Sequence, residues 1–216
     1  MLARGTPWFM LAPPTLALAL AAAVLASVAP LVWWSWALVI ALAAASAIGL
    51  AFFRDPDRSP GEGLLAPAHG RVLAVEDVEE GGAWTRVSTF MGPLDVHVVR
   101  APLDGRVGLV ERAGSGFARA DAPGAGHNVR LTLTMETEGA SGRHRVVLVS
   151  GWFARRIVPY VGAGDAVARG ARIGLIRFGS RVDVLVPRGE WAITVERGAR
   201  VRAGETSLGV RADARR

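Results

Sequence analysis

Residues 161–174 read VGAGDAVARGARIG, and residues 195–209 read VERGARVRAGETSLG. Both stretches space valine, glycine, valine and glycine three residues apart, and both end on an apolar residue followed by glycine. Glycine supplies the positive φ that tight turns need, and valine favours strands. The repeat therefore predicts glycine-punctuated β-hairpins, the units of a β-sandwich or barrel-sandwich-like domain.

A second repeat lies upstream of the first. Residues 66–72 read APAHGRV, and residues 101–107 read APLDGRV. Short runs rich in Val, Leu and Arg, separated by Gly, Pro and Asp, indicate further strands and turns. The predicted strands are 71–75, 84–90, 95–99, 107–110, 129–135, 144–149, 181–186 and 192–196. Helix is predicted only at 153–160 and around Phe117, so residues 59–216 form a mainly β domain with few short helices.

The first 58 residues differ sharply in composition from the rest of the chain. No charged residue occurs from 5 to 53, which is long enough for two membrane passes of roughly 20 residues each, at about 8–29 and 33–53. Arg4 precedes this region and Arg54 follows it, so the positive-inside rule places both ends in the cytoplasm. We predict a transmembrane helical hairpin that anchors the β domain on the cytoplasmic side of a cell membrane.

The charged residues exclude several chemistries. The chain has 216 residues, a formal net charge of +6 and 25 basic residues, all of them arginine. Without lysine there is no Schiff-base lysine for pyridoxal phosphate, and without cysteine there is no thiol nucleophile or disulfide. The arginines are scattered and form no basic run interleaved with aromatic residues, which disfavours nucleic acid as a partner.

Few residues remain for catalysis. The four histidines are His69, His97, His127 and His144, and no two have the i, i+4 spacing of a helical zinc site. We therefore expect no metal. The chain also lacks the Gly-x-Ser-x-Gly pattern of a nucleophile elbow.

One stretch is distinctive: residues 173–184 read IGLIRFGSRVDV. By its composition alone, this stretch is typical of two buried strands joined by a Gly-Ser turn. The stretch nevertheless resembles the processing site of phosphatidylserine decarboxylases of the short, pyruvoyl-dependent type. Further segments are similar to that family in the same order along the chain, at 52–56, 90–102, 151–157 and 203–206.

The resemblance implies a self-made cofactor. The Ser180 hydroxyl would attack the carbonyl of Gly179, the chain would be cut between them, and Ser180 would become a pyruvoyl group at the new amino terminus. The large and small chains would stay associated, and a homodimer is compatible with the family. The implied reaction converts phosphatidylserine of the bilayer, in the bacterial inner membrane, to phosphatidylethanolamine and carbon dioxide.

The resemblance also implies roles for other residues. Its matching segment makes His97 the candidate proton donor, or a base in self-cleavage, because imidazole titrates near neutral pH. Guanidinium groups bind phosphate and carboxylate bidentately, so arginines are the candidate ligands of the lipid head group. These candidates are Arg155, Arg156, Arg177 and Arg181, of which Arg181 is preferred because it adjoins Ser180.

The chain departs from the family pattern at a few positions. His69 stands where the family usually has an aspartate that assists self-cleavage, so His69, Asp95 or Asp104 could take that role, or cleavage could be slow or absent. Arg100 and Val99 replace a histidine of longer relatives and a usual asparagine. Two other functions stay open: a processing-deficient, membrane-anchored β-sandwich adaptor, and a pyruvoyl decarboxylase of a soluble amino acid.

Overall fold

The computed structural model describes residues 3–4, 16, 19–21, 23, 33–137, 142–152, 156–177 and 180–212. One helix of 20 residues, α1, covers Trp33–Phe52. Strands follow it, in the order β1 (Leu64–Leu65), β2 (Gly70–Glu79), β3 (Ala83–Met91), β4 (Val98–Arg100), β5 (Gly105–Ala113), β6 (Arg130–Glu136), β7 (Arg143–Val149), β8 (Ile157–Pro159), β9 (Ala166–Val167), β10 (Arg172–Ile176), β11 (Ser180–Pro187), β12 (Trp191–Ile193), β13 (Arg200–Val201) and β14 (Ser207–Arg211).

These strands form one large sheet and two small ones. The eight-stranded sheet has the order β13-β2-β3-β11-β7-β6-β5-β9, and the three-stranded sheets have the orders β1-β14-β12 and β4-β10-β8. Alternate apolar side chains of the large sheet point inward and pack into two buried clusters, which contain Val182 and Val184 of β11 respectively. The mainly β class with few helices that the sequence predicted is confirmed.

The sequence repeats correspond to two similar halves of the domain. The first half comprises β1–β3 and β11–β14, and the second comprises β4–β10. In the first half the Val72 N–H donates to the Ala199 carbonyl, and in the second the Val107 N–H donates to the Asp165 carbonyl, both at 2.9 Å. The turn glycines repeat as well, with φ of 91° at Gly164 and 93° at Gly198. The repeats therefore mark a structural duplication, but the hairpins predicted from them are wrong, because β9 pairs with β5 and β13 with β2, while β10 and β14 pair in the two small sheets.

The predicted transmembrane hairpin is not found in the described part of the chain. Most of its first pass, about 8–29, lies outside the described residues, while the second pass corresponds to α1. Taking only the residues whose side chains the structure describes, no helix is both long and apolar enough to cross a membrane.

The helix predicted at 153–160 is wrong where the structure describes it. Residues 157–159 form β8, which pairs antiparallel with β10 and places Ile157 opposite Ile176. Pairing with a buried strand outweighs the local helical pattern, and Pro159 has no N–H for a helix to use. Phe117 lies in irregular chain, and a short 3-10 helix follows at Pro123–His127.

Candidate active site

Ser180 is the first residue of β11, in the middle of the large sheet. It lies opposite Met91 of β3, and its neighbour Arg181 lies opposite Phe90 of β3 and Val149 of β7. The Ser180 side chain is fully buried, and its Oγ has no hydrogen-bond partner among the described residues. A buried hydroxyl without a partner is costly, so its presence calls for an explanation beyond packing. Gly179 lies outside the described residues.

His97 reaches the same end of the sheet from the loop between β3 and β4. It is buried, and its carbonyl accepts the Ile176 N–H at 3.3 Å, four residues before Ser180. Its Nδ1 lies 2.8 Å from the Asp95 carbonyl oxygen. A carbonyl only accepts hydrogen bonds, so Nδ1 carries the proton and Nε2 is the acceptor of the neutral ring.

The protonation state of His97 follows from its burial. Burial lowers its pKa to about 4, outweighing the opposing effects of the Asp95 carbonyl and carboxylate. Nε2 is buried and has no hydrogen-bond partner in the part of the chain that the structure describes. His97 therefore presents an unoccupied proton acceptor at neutral pH.

The end of α1 forms one wall around His97. The Phe52 ring stacks on the imidazole with centroids 3.9 Å apart and planes at 30°. Phe53 packs edge-on against Phe52, with centroids 5.0 Å apart. This aromatic contact removes water from one face of His97, which contributes to the lowered pKa.

His69 has partners on both ring nitrogens. Arg58 Nη2 lies 3.1 Å from His69 Nδ1, and Asp95 Oδ1 lies 3.5 Å from His69 Nε2. Arginine can only donate, so Nδ1 is the acceptor and the proton resides on Nε2, facing the carboxylate. Burial lowers the pKa of His69, and Arg58 also lowers it, although Asp95 acts in the opposite direction. His69 is therefore a neutral residue between Arg58 and Asp95, and its ring lone pair on Nδ1 already accepts a hydrogen bond from Arg58.

Asp95 connects the two histidines. Its Oδ2 accepts the Gly92 N–H at 2.8 Å, and its Oδ1 accepts from Arg200 Nη1 at 3.0 Å. Its carbonyl holds His97 and its carboxylate faces His69. The structure does not bring Asp104 to this cluster, because its Oδ1 instead accepts the Arg169 N–H at 2.9 Å.

Arg100 has a structural role. It is buried, donates to the Pro56 carbonyl at 2.9 Å and forms an ion pair with Asp55 at 3.2 Å. Asp55 also pairs with Arg172 of β10. Through these contacts the chain leaving α1 is fixed to β4 and β10.

Arg181 faces away from Ser180. Successive residues of a strand point to opposite faces, so the Ser180 side chain points to the core and Arg181 to the outer face. There Arg181 Nε lies 3.0 Å from Asp183 Oδ1, and burial raises the pKa of that carboxyl group. A groove of about 310 Å³ on this face is lined by Arg86, Glu111, Arg130, Arg145, Arg181 and Asp183 among others. Adjacency in sequence thus does not put the Arg181 guanidinium beside the Ser180 hydroxyl.

Arg156 and Arg177 lie together on the approach to Ser180. The Arg177 N–H donates to the Arg156 carbonyl at 3.3 Å, where β8 and β10 run side by side. Burial and the nearby Arg156 charge lower the pKa of the Arg177 guanidinium. An anion would relieve this repulsion between like charges. The remaining candidate, Arg155, lies outside the described residues.

Sequence reasoning missed three contributors to the site: Phe52, Arg58 and Arg200. Phe52 belongs to the 52–56 segment that carries the resemblance, so that segment was a usable signal. Arg58 and Arg200 reach the site only through the fold, and no local pattern marks them. Among the described residues, no three His, Asp or Glu side chains come together as a metal site would need.

The fold and the site together define a class of protein: a mainly β domain whose central strand begins with a buried serine that has no hydrogen-bond partner among the described residues. A family model described as phosphatidylserine decarboxylase matches residues 46–209. The chain belongs to this family.

Three relatives that agree with the family model are named phosphatidylserine decarboxylase proenzyme. One from Thermobifida fusca is 48% identical over 171 residues, covering 79% of this chain and 75% of that protein. One from Streptomyces griseus is 41% identical over 210 residues, covering 96% and 92%. A third, from Chlorobium luteolum, is 42% identical over 180 residues, covering 79% and 83%.

Proposed function

We propose that this protein is a phosphatidylserine decarboxylase that generates a pyruvoyl group from Ser180 by cutting its own chain. The observation that carries the proposal is the buried Ser180 hydroxyl without a partner, at the start of the central strand. The family relationship supports the reaction type, and the relatives' names include the word proenzyme.

The first step of self-cleavage is an attack within the chain. Ser180 Oγ bonds to the carbonyl carbon of Gly179 while its proton passes to His97 Nε2, the unoccupied acceptor. The proton then moves to the nitrogen of residue 180 as the peptide C–N bond breaks. The product is an ester between Gly179 and the Ser180 side chain, with a free amine on residue 180.

The second step removes the ester. The Cα proton of residue 180 is lost and the bond between Cβ and Oγ breaks, which leaves a Gly179 carboxylate and a dehydroalanine. Tautomerisation followed by hydrolysis takes up one water and releases one ammonia, giving the pyruvoyl group. His97 takes part only in the first step of this proposal, and His69 serves to hold Asp95 and Arg58 together.

The residues present suit a pyruvoyl group at this position. A group derived from Ser180 would occupy a buried place at the end of the sheet where the neutral His97 is also buried. Formed there, a pyruvoyl carbonyl would supply an electrophile for the substrate amine and an electron sink for the loss of carbon dioxide. Arg156 and Arg177 would hold the phosphodiester of the lipid. Lysine, which pyridoxal phosphate needs, does not occur in the chain.

Two further expectations belong to this proposal. α1 has no charged residue and exposes Leu38, Ile40 and Ile48, so we propose that it contacts lipid on the cytoplasmic side of the cell membrane. We also propose that the two chains stay together after cleavage, because β11 is hydrogen-bonded to β3 on one side and β7 on the other.

The proposed function is tested by intact mass followed by a product assay. Purified protein is expected to yield a carboxy-terminal fragment starting at residue 180, of about 4 kDa at average residue mass, with a blocked amino terminus. Incubated with phosphatidylserine in detergent, the cut protein is expected to release carbon dioxide and form phosphatidylethanolamine.

One outcome of each measurement would contradict the proposed function. A single uncut species of 22.7 kDa, unchanged on long incubation with lipid, would contradict self-processing and favour the adaptor. Cut protein that decarboxylates free serine but not its phospholipid would favour the soluble amino acid as substrate.

A further inference from the structure

Two exposed apolar side chains stand out on the described β domain. Leu94 is 68% exposed and Trp152 is 65% exposed, more than any other large apolar side chain described there. Leu94 lies in the loop that follows β3, and Trp152 lies just after β7.

The sheet places both side chains at the Ser180 end. β3 and β7 are the two neighbours of β11, and both run antiparallel to it. Their last residues therefore lie beside the first residues of β11. Neighbouring strands are about 4.8 Å apart, so the two loops leave the sheet roughly 10 Å from each other, one on either side of Ser180.

Arginines lie near both apolar side chains in the chain. Arg54 Nη2 donates to the Leu94 carbonyl at 2.7 Å, Arg156 comes four residues after Trp152, and the Arg177 N–H donates to the Arg156 carbonyl. The carboxylate nearest Leu94 in sequence, Asp95, already contacts Arg200. Arginines around exposed leucine and tryptophan match the surface of an anionic bilayer, where indole rings lie at the head-group level.

We propose that the Ser180 end of the sheet docks directly on an anionic lipid bilayer, with Leu94 and Trp152 inserted between the head groups on either side of Ser180. The inference extends the proposed function, since it would bring the lipid substrate to Ser180. A second copy of the chain is a poorer occupant, because a two-fold interface here would bring Arg54, Arg156 and Arg177 close to their own copies.

The absence of cysteine makes a direct test possible, because a single introduced cysteine is the only labelling site. The variants Leu94→Cys and Trp152→Cys each receive an environment-sensitive fluorophore. The matched control is Leu109→Cys on β5, since Leu109 is also exposed, at 51%. In register Leu109 is level with Leu185, about 17 Å along the sheet from Ser180 at 3.4 Å per residue.

Labelled protein is mixed with vesicles of phosphatidylcholine containing phosphatidylglycerol, an anionic lipid that carries no serine. We expect a blue shift and a severalfold rise in emission at positions 94 and 152, and neither at position 109. No change at 94 and 152, or an equal change at all three positions, would overturn the proposal. So would a blue shift that grows with protein concentration in the absence of vesicles, because it would show a second copy on this surface.

Activity gives a second measurement. The double variant L94S/W152S is compared with L109S on phosphatidylserine in vesicles and on a short-chain, monomeric phosphatidylserine. The ratio of vesicle to monomer activity is expected to fall about tenfold in L94S/W152S and to stay unchanged in L109S. An unchanged ratio in L94S/W152S contradicts docking. If the natural protein decarboxylates neither substrate, the proposed function fails while the fluorescence experiment still decides docking.

Discussion

The two halves of the β domain share a backbone plan, yet only the first contains the candidate nucleophile. His69 and Asp104 occupy equivalent places in the repeated segments 66–72 and 101–107. Asp104 accepts a backbone N–H from the neighbouring turn, whereas His69 turns to Arg58 and Asp95. In a duplicated fold, a position can thus have a structural role in one half while the equivalent position in the other half contacts side chains around a reactive group.

Two other buried polar side chains, Ser150 and His144, resemble Ser180 and His97 and show which features define the site. Ser150, the residue after β7, is as buried as Ser180, and among the described residues its Oγ also has no hydrogen-bond partner. His144 of β7 resembles His97, because burial lowers its pKa to about 4 and its Nε2 has no partner. Burial alone therefore does not define the site. Ser180 differs from Ser150 in the glycine that precedes it, and His97 differs from His144 in lying at the Ser180 end of the sheet.

The largest expected effect is that of Ser180→Ala. Without the hydroxyl no ester can form, so self-cleavage should be abolished and intact mass should show only uncut chain. Ser150→Ala is the matched control from the second half and should be cut like the natural protein. Cleavage of Ser180→Ala at the same bond would show that the nucleophile is another group.

The next largest effect is expected for His97→Gln. Removing a general base typically slows its step by about 10²- to 10⁴-fold, so the half-time of self-cleavage should lengthen at least a hundredfold. The rate is followed by electrophoresis of freshly synthesised precursor. His144→Gln should cleave at nearly the natural rate, and equal slowing in both variants would mean that the effect is structural.

Stability should depend on pH through both buried histidines. Each has a pKa of about 4 in the folded state against an ordinary value of 6.5, so the unfolded state binds more protons between these values. The free energy of unfolding is therefore expected to fall as the pH drops from 6.5 towards 4, by up to about 3 kcal/mol per histidine.

Urea unfolding of the uncut Ser180→Ala protein at pH 7 and pH 4.5 measures this dependence. Adding His144→Gln should remove the part of this pH dependence that comes from His144, and adding His97→Gln should remove the part that comes from His97. A pH dependence that survives both substitutions would assign it to other groups.

A smaller effect is expected for Phe52→Leu. Loss of the stacked ring lets water reach the imidazole, so the pKa of His97 should rise towards its ordinary value. The acid limb of the pH profile for self-cleavage should move upward by about one unit, with a rate change of only a few fold at pH 7. Phe53→Leu keeps the stacked ring and should leave the profile in place. If both variants shift equally, general loosening of the end of α1 is the cause.

The smallest effects compare the equivalent positions directly. His69→Ala and Asp104→Ala each remove a polar contact and should each cost about 1 kcal/mol of unfolding free energy. Neither should stop self-cleavage, since His69 has no free lone pair in the structure. Complete loss of cleavage in His69→Ala, with Asp104→Ala still cut, would instead make His69 the base.

The sequence predicted what depends on local spacing. The repeats indicated a mainly β domain, and ordered motifs pointed to Ser180 and His97, whose roles stay predictions. Strand alternation through residues 180–186 already puts Arg181 on the face opposite Ser180, a signal that the preference for Arg181 overlooked. The contacts of His69 with Arg58 and of His97 with Phe52 were not predictable, because they join segments that only the fold brings together.

The central place of β11 has a consequence for the life history of the protein. Once the chain is cut as proposed, the strand that holds the large sheet together belongs to a separate peptide. Refolding after denaturation then becomes a second-order reaction that depends on protein concentration, while the uncut precursor folds in a first-order one. The mature protein is therefore expected to depend for its lifetime on a high barrier to unfolding, and to recover poorly once unfolded.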